Sequence, residues 1–168
     1  MKNNRHLNKF LLYSFCYLFI LCLLTGFFYF LVELSPEELL VTAPDNSIHR
    51  AAQIIYNNTK NFLGYLILFV LFPINVFWDL VFTSWSIAVS FHAQGVSGTF
   101  EHLFLHGIIE LPNAMMYTYL SANAFIRLCK DKDFGISQYW QYISERKQYY
   151  FMSFLLIIIA GLVEGLFS

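Results

Sequence analysis

The sequence predicts an all-α fold: a polytopic transmembrane helical bundle of about five membrane passes, with one short amphipathic helix at the interface. Three observations carry that expectation. Only 12% of the 168 residues are charged and 58% are hydrophobic, where a soluble domain carries roughly a quarter charged residues. Mean hydropathy is +0.55. The apolar residues gather in long uncharged runs, as a hydrocarbon solvent demands. Net charge is -1, so no basic excess points to nucleic acid, and membrane lipid is the first partner implied. No cofactor is called for by any motif.

The first run, Phe10 to Val32, is long enough to span with some tilt. It follows Lys2, Arg5 and Lys9, as a signal peptide would, but it is too long for a cleaved signal and no small-residue cleavage pattern follows cleanly. An uncleaved first span is expected, with the N-terminus cytoplasmic by the positive-inside rule. Cys16 and Cys22 lie in this run and Cys129 after the fourth. They read as buried small hydrophobes rather than a disulfide framework.

Residues 33–60 form the first polar segment, expected to be extracytoplasmic. Ser35-Pro36-Glu37-Glu38 is a helix start with its capping box, and Pro44-Asp45-Asn46-Ser47 is a turn. Ile48, Ala51, Ala52, Ile55 and Phe62 then recur at helical spacing, which predicts an amphipathic helix along the interface. Asn57-Asn58-Thr59 matches a glycosylation triplet common by chance.

A single helix over residues 61–91 would cover about 46 Å, against a hydrocarbon core of about 30 Å. The alternative is a hairpin turning near Pro73-Ile-Asn75. Arg127, Lys130, Lys132, Arg146 and Lys147 also favour the cytoplasm, which requires an even number of passes between Lys60 and Gln94. The spans expected are therefore 10–32, 61–74, 76–92, 103–126 and 149–167, in one domain comprising residues 1–168.

Within these runs lie the groups that carry chemistry. His102, His106 and Glu110 recur every four residues and so share one helical face. Asp79 and Glu164 interrupt other spans. Ionisable groups at a membrane depth cost on the order of 2.5–3.5 kcal/mol each and need partners. His102, His106, Glu110, Asp79 and Glu164 form the expected internal polar site. Gly107 would allow another helix to approach, and Pro112, unable to donate to the carbonyl of Ile108, would kink the helix. The bland reading is hydrogen bonding between helices that fixes their register. A metal on His102, His106 and Glu110 is the sharper one, but the order departs from the His-Glu-x-x-His of zinc peptidases. Acid–base work by His106 and Glu110 is a third option, although no nucleophile stands against them. Ser97 reads as a loop hydroxyl.

The segment Phe104-Leu-His106-Gly107-Ile-Ile-Glu110-Leu111-Pro112 resembles the His-Gly-x-x-Glu-Leu-Pro core of the stage II sporulation protein M (SpoIIM-like) family. Ser121-Ala-Asn-Ala-Phe-Ile-Arg127 and Ala160-Gly-Leu-Val-Glu164 resemble the stretches that follow it. Leu105 stands where the family commonly has proline, Tyr117, Tyr119 and Asn123 replace a glycine-rich run, and His102 is outside the core. The resemblance implies an integral protein of the bacterial cell membrane that is a non-enzymatic component of a larger complex. Small members of this kind are encoded with circular bacteriocins beside an ABC-type ATPase, which implies a role in bacteriocin maturation, export or immunity, with an ABC-type ATPase or permease, or a second copy, as partner. Two alternatives remain open: an intramembrane peptidase or cyclase using His106 and Glu110, and an envelope-remodelling scaffold in sporulation.

Overall fold

In the computed structural model, which describes residues 2–33, 47–131 and 135–167, every regular element is a helix. Side chains are described except those of residues 2–6, 47, 102, 104–106, 166 and 167. The helix start expected at Ser35-Pro36-Glu37-Glu38 and the turn at Pro44-Asp45-Asn46 lie outside the described residues.

The opening apolar run forms α1, Lys2–Leu31. It buries Tyr17 and Leu21 against Leu80 and Met115 and leaves Leu12, Phe15, Leu23 and Phe27 exposed. Such a surface is stable against acyl chains rather than water. Cys16 and Cys22 fall on that outward face and Cys129 is exposed as well, so the expectation that the three thiols are buried is corrected. α1 touches the bundle through one narrow stripe, and its thiols lie off it.

α2, Ser47–Ile67, is amphipathic as expected, but its apolar face packs on protein instead of lying along an interface. It runs against α5, Lys147–Phe167. Gly161 and Gly165 of α5 meet Ala51 and Ile55, and Phe62 and Tyr65 join Tyr117, Leu120, Tyr150 and Ile157 in the core. The C-terminal end of α2 is buried, so its carbonyls need donors. Gly64 accepts from the Leu68 amide at 2.9 Å, Tyr65 from Ser121 Oγ at 3.1 Å, and Leu66 from the Tyr139 hydroxyl.

The chain reverses through Leu68 and a single 3₁₀ turn, Phe69–Leu71, ahead of the expected Pro73-Ile-Asn75. Pro73 instead sits in the first turn of α3, Phe72–Lys130, where its missing amide hydrogen costs nothing. The break within α3 is at Gly95, with φ 70° and ψ -178°. It divides the helix into a first arm, 72–94, and a second arm, 96–130. The arms fold back on each other. Ser90 and Thr99, nine residues apart, hydrogen-bond at 3.2 Å, whereas an unbroken helix would hold them about 13 Å apart. At Pro112, where the sequence predicts a kink, helical φ and ψ continue, and the reversal falls at Gly95 instead. A proline removes one hydrogen bond, but a full reversal needs backbone angles that glycine alone adopts freely. Ser97, expected in a loop, lies in the helix just past Gly95.

α1 runs parallel to the first arm, as the Ser84 bond to the Leu21 carbonyl and the His92 bond to that of Tyr29 require. α2 runs parallel to the second arm, through Asn58 to Glu110 and Tyr65 to Ser121. In chain order the five long segments alternate in direction. Among the described residues three helices, rather than five, are long and apolar enough to cross a membrane: Leu7–Leu31, Phe69–Glu101 and Lys147–Gly165. α2 and the second arm fall short because they carry the polar side chains of the interior. The second arm buries Asn113, Thr118 and Ser121 and is the best-sheltered segment of the bundle.

The short α4, Ile136–Glu145, packs Tyr139, Tyr142 and Ile143 inward and turns Ile136 and Trp140 outward. Tyr142 donates to the Leu120 carbonyl at 2.8 Å. Arg127 and Arg146 lie over its ring at 5.0 and 4.1 Å, so cations from two elements converge at this end of the bundle. Burial pushes the Tyr142 phenol from 10.0 up to about 12, with the two guanidiniums partly offsetting it. A raised acid pKa means the folded state holds this proton more tightly. Its contribution is present below pH 10.0 and lost as pH climbs toward about 12. Tyr142→Phe is expected to cost about 1 kcal/mol, read as a lower thermal midpoint in detergent at pH 8, with the gap to wild type closing above pH 11.

Candidate functional site: a polar cavity between α2 and the arms of α3

The hydropathy of the first arm conceals a polar stripe. Asp79, Thr83, Ser86, Ser90 and Gln94 are separated by three or four residues, which places them on one helical face. All five line a cavity of about 900 Å³. Opposite stand Arg50, Asn57, Asn58 and Asn61 of α2, again at helical spacing, and the second arm closes the site with Gly107, Glu110, Asn113 and Tyr117. Its back wall is buried at Tyr17, Leu21, Tyr117, Ile157 and Ala160, while Thr83, Ser86 and Gln94 are exposed along its open side. A cavity of this size suits a small-molecule ligand.

Each carboxylate in the wall is held by an asparagine. Asn61 Nδ2 donates to Asp79 Oδ2 at 3.2 Å and lies 3.3 Å from the Tyr117 hydroxyl. Asn58 Nδ2 donates to Glu110 Oε1. One helix therefore positions both acids from across the cavity, one on each arm of α3. Asn113 is turned away from this pair. Its carboxamide donates to the Ser153 carbonyl at 3.0 Å, and Ser153 Oγ donates back to Asn113 Oδ1, a buried lock between the second arm and α5.

Of the residues expected to form an internal polar site, Asp79 and Glu110 share the cavity. Glu164 is buried on α5 at 9% exposure, outside the cavity lining. The side chains of His102 and His106 lie outside the described residues, and with them the proposed His102–His106–Glu110 ligand set. Among the described residues no three His, Cys, Asp or Glu side chains are grouped to hold a metal ion. Gly107 corrects the expectation placed on it. Among the described residues no atom lies within 4 Å of where its Cβ would be, and Gly107 lines the cavity instead of a close helix contact. Close approach occurs instead at Gly161 and Gly165, the two ends of a Gly-xxx-Gly spacing that the sequence displays openly.

The residues missed by sequence reasoning are the asparagines and the hydroxyl stripe. Asn57 and Asn58 had a competing reading as a chance glycosylation triplet, and a run average dilutes Thr83, Ser86 and Ser90 among Phe, Trp and Ile. The spacing of the stripe was a usable signal. No model of a known protein family matches the chain, and no curated protein or solved structure does either.

Proposed function

We propose that the protein is a multi-pass component of the bacterial cell membrane that receives a polar solute in its central cavity as a non-enzymatic partner within a larger membrane complex. The observation that carries this reading is the cavity itself: about 900 Å³ of space lined by carboxylates, carboxamides and hydroxyls inside a bundle whose outer face is apolar. Polar groups at such depth are costly unless they face water or a ligand. In this reading all five long segments cross the bilayer, α2 and the second arm sheltered by the three apolar helices. Lys9, Arg127, Lys130, Arg146 and Lys147 mark the cytoplasmic end, and the cavity extends toward the Gly95 end. The resemblance of His106-Gly107-Ile-Ile-Glu110-Leu111-Pro112 to the SpoIIM-like core favours a place in bacteriocin maturation, export or immunity, beside an ABC-type ATPase or permease.

Extraction of the tagged protein from native membranes in mild detergent is expected to bring down a stoichiometric ATPase or permease, identified by mass spectrometry. A protein that emerges alone would overturn the complex. A second reading, an intramembrane peptidase or cyclase, draws on Glu110 in the cavity wall one helical turn from His106. It requires Glu110→Gln to assemble normally yet lose turnover. The component reading expects Glu110→Gln to weaken the complex, because it converts a charge-assisted bond from Asn58 into a neutral one.

A further inference from the structure

The two ends of the cavity differ in charge. Arg50 stands on α2 eleven residues before Asn61, about 16 Å along the helix. The carboxylates of Glu110 and Asp79 lie progressively deeper, and Asp79 shares the deep end with Tyr17, Asn61 and Tyr117. Asp79 Oδ2 accepts from a neutral carboxamide, and among the described residues no Lys, Arg or His forms an ion pair with this carboxylate. The tyrosines beside it are part of the core: Tyr17 and Tyr117 are 6% and 7% exposed, and the Tyr117 ring lies 5.4 Å from that of Tyr65.

An acid enclosed by aromatic rings is a recurrent chemistry for cations. The ring faces attract positive charge, and the attraction strengthens where water is excluded. A carboxylate in an apolar bundle gains most from a counter-ion brought by a ligand, because without one its desolvation is uncompensated. A neutral solute would leave the Asp79 charge unmatched, and an anion at the deep end would face two acids with Arg50 about 16 Å away. Building on the reading of this cavity as a ligand site, we propose that its deep end binds a small organic ammonium ion, seated between the Asp79 carboxylate and the rings of Tyr17 and Tyr117. Asn61, bonded to both Asp79 and Tyr117, acts as the positioning residue that holds acid and ring together.

The test uses the full chain with Cys16, Cys22 and Cys129 replaced by alanine and Ser86→Cys introduced into the exposed side of the cavity wall. Its rate of modification is compared for a cationic trimethylammonium-ethyl methanethiosulfonate and an anionic sulfonatoethyl one. Choline and its neutral carbon isostere, 3,3-dimethylbutan-1-ol, are then added as protectants. The expected result is faster reaction with the cationic reagent and protection by choline but not by the isostere. Asp79→Asn should lower the cation-to-anion rate ratio about tenfold, the scale of one charge removed at short range in a partly screened site, while Asp79→Glu retains the preference. Equal rates and no protection by choline would overturn the ammonium assignment and leave the cavity reading standing. Failure of both reagents to modify Ser86→Cys would overturn both. Protection in the parent protein is decisive even if Asp79→Asn does not fold.

Discussion

Replacing Gly165 with leucine is expected to separate α2 from α5 and lower the thermal midpoint of the protein in detergent by on the order of 5 °C or more. A Cβ at Gly165 would stand 2.7 Å from the backbone nitrogen of Ala51. Backbone cannot rotate away as a flexible side chain can, so the clash is relieved only by moving a helix. One turn earlier, a Cβ at Gly161 would meet the Ile55 amide nitrogen at 3.3 Å and the Ala51 carbonyl oxygen at 3.4 Å. The two glycines thus form a continuous strip of close approach, in which van der Waals contact replaces the hydrophobic drive that lipid cannot supply. Overpacking of well-filled sites costs about 1–3 kcal/mol, and each kcal/mol is worth about 2–4 °C in a chain of this size. The consequence extends to the cavity, because α2 carries the asparagines that hold Asp79 and Glu110. Gly107→Ala is the matched control. Its Cβ enters open space and alanine favours the helix by up to about 1 kcal/mol, so it should fold as well as wild type. Equal midpoints for Gly165→Leu and wild type would refute the close-packed interface.

What was legible in the sequence followed from patterns that involve one helix at a time. The apolar runs of α1, the first arm and α5 declare themselves because their exposed surface must satisfy lipid. The amphipathic period of α2 was equally plain, yet its destination was not. An apolar stripe suits an interface or a protein partner, and the choice is made by glycines more than a hundred residues away at Gly161 and Gly165. The second arm reads in sequence as a lipid-spanning segment on a par with the others, although its Asn113, Thr118 and Ser121 are those of a helix enclosed by neighbours. Asp79 and Glu110 were visible as costly charges, but the groups that compensate them, Asn61 and Asn58, belong to another helix and come into register only when α2 folds back at Leu68. Pro112 stands out in the sequence as a helix breaker, while the reversal falls at Gly95. Proline announces a missing donor in any context. A glycine at positive φ looks the same in sequence as a glycine that fills a helix.

That difference makes Gly95 the site of the other large effect. Its φ of 70° with ψ of -178° lies in a region that is essentially reserved for glycine, and a side chain there costs about 1–3 kcal/mol. Among the described residues no atom lies within 4 Å of the Cβ position, so the cost of Gly95→Ala is conformational. Alanine also prefers to continue the helix that flanks it on both sides, which adds a drive toward an unbroken segment over 72–130. Straightening is incompatible with the bundle, because Leu80 packs with Met115 and Phe72 with Phe125 only when the arms fold back. Gly95→Ala should therefore destabilise by about 2 kcal/mol or more. Gly26→Ala, a helical glycine whose added Cβ also meets nothing, should be neutral or slightly stabilising. The hairpin itself has a direct readout in the hydroxyl pair Ser90 and Thr99. In the cysteine-free background, Ser90→Cys with Thr99→Cys should cross-link on mild oxidation, and adding Gly95→Ala should suppress the cross-link. Undiminished cross-linking together with an unchanged thermal midpoint would show that the reversal does not depend on a glycine at this position.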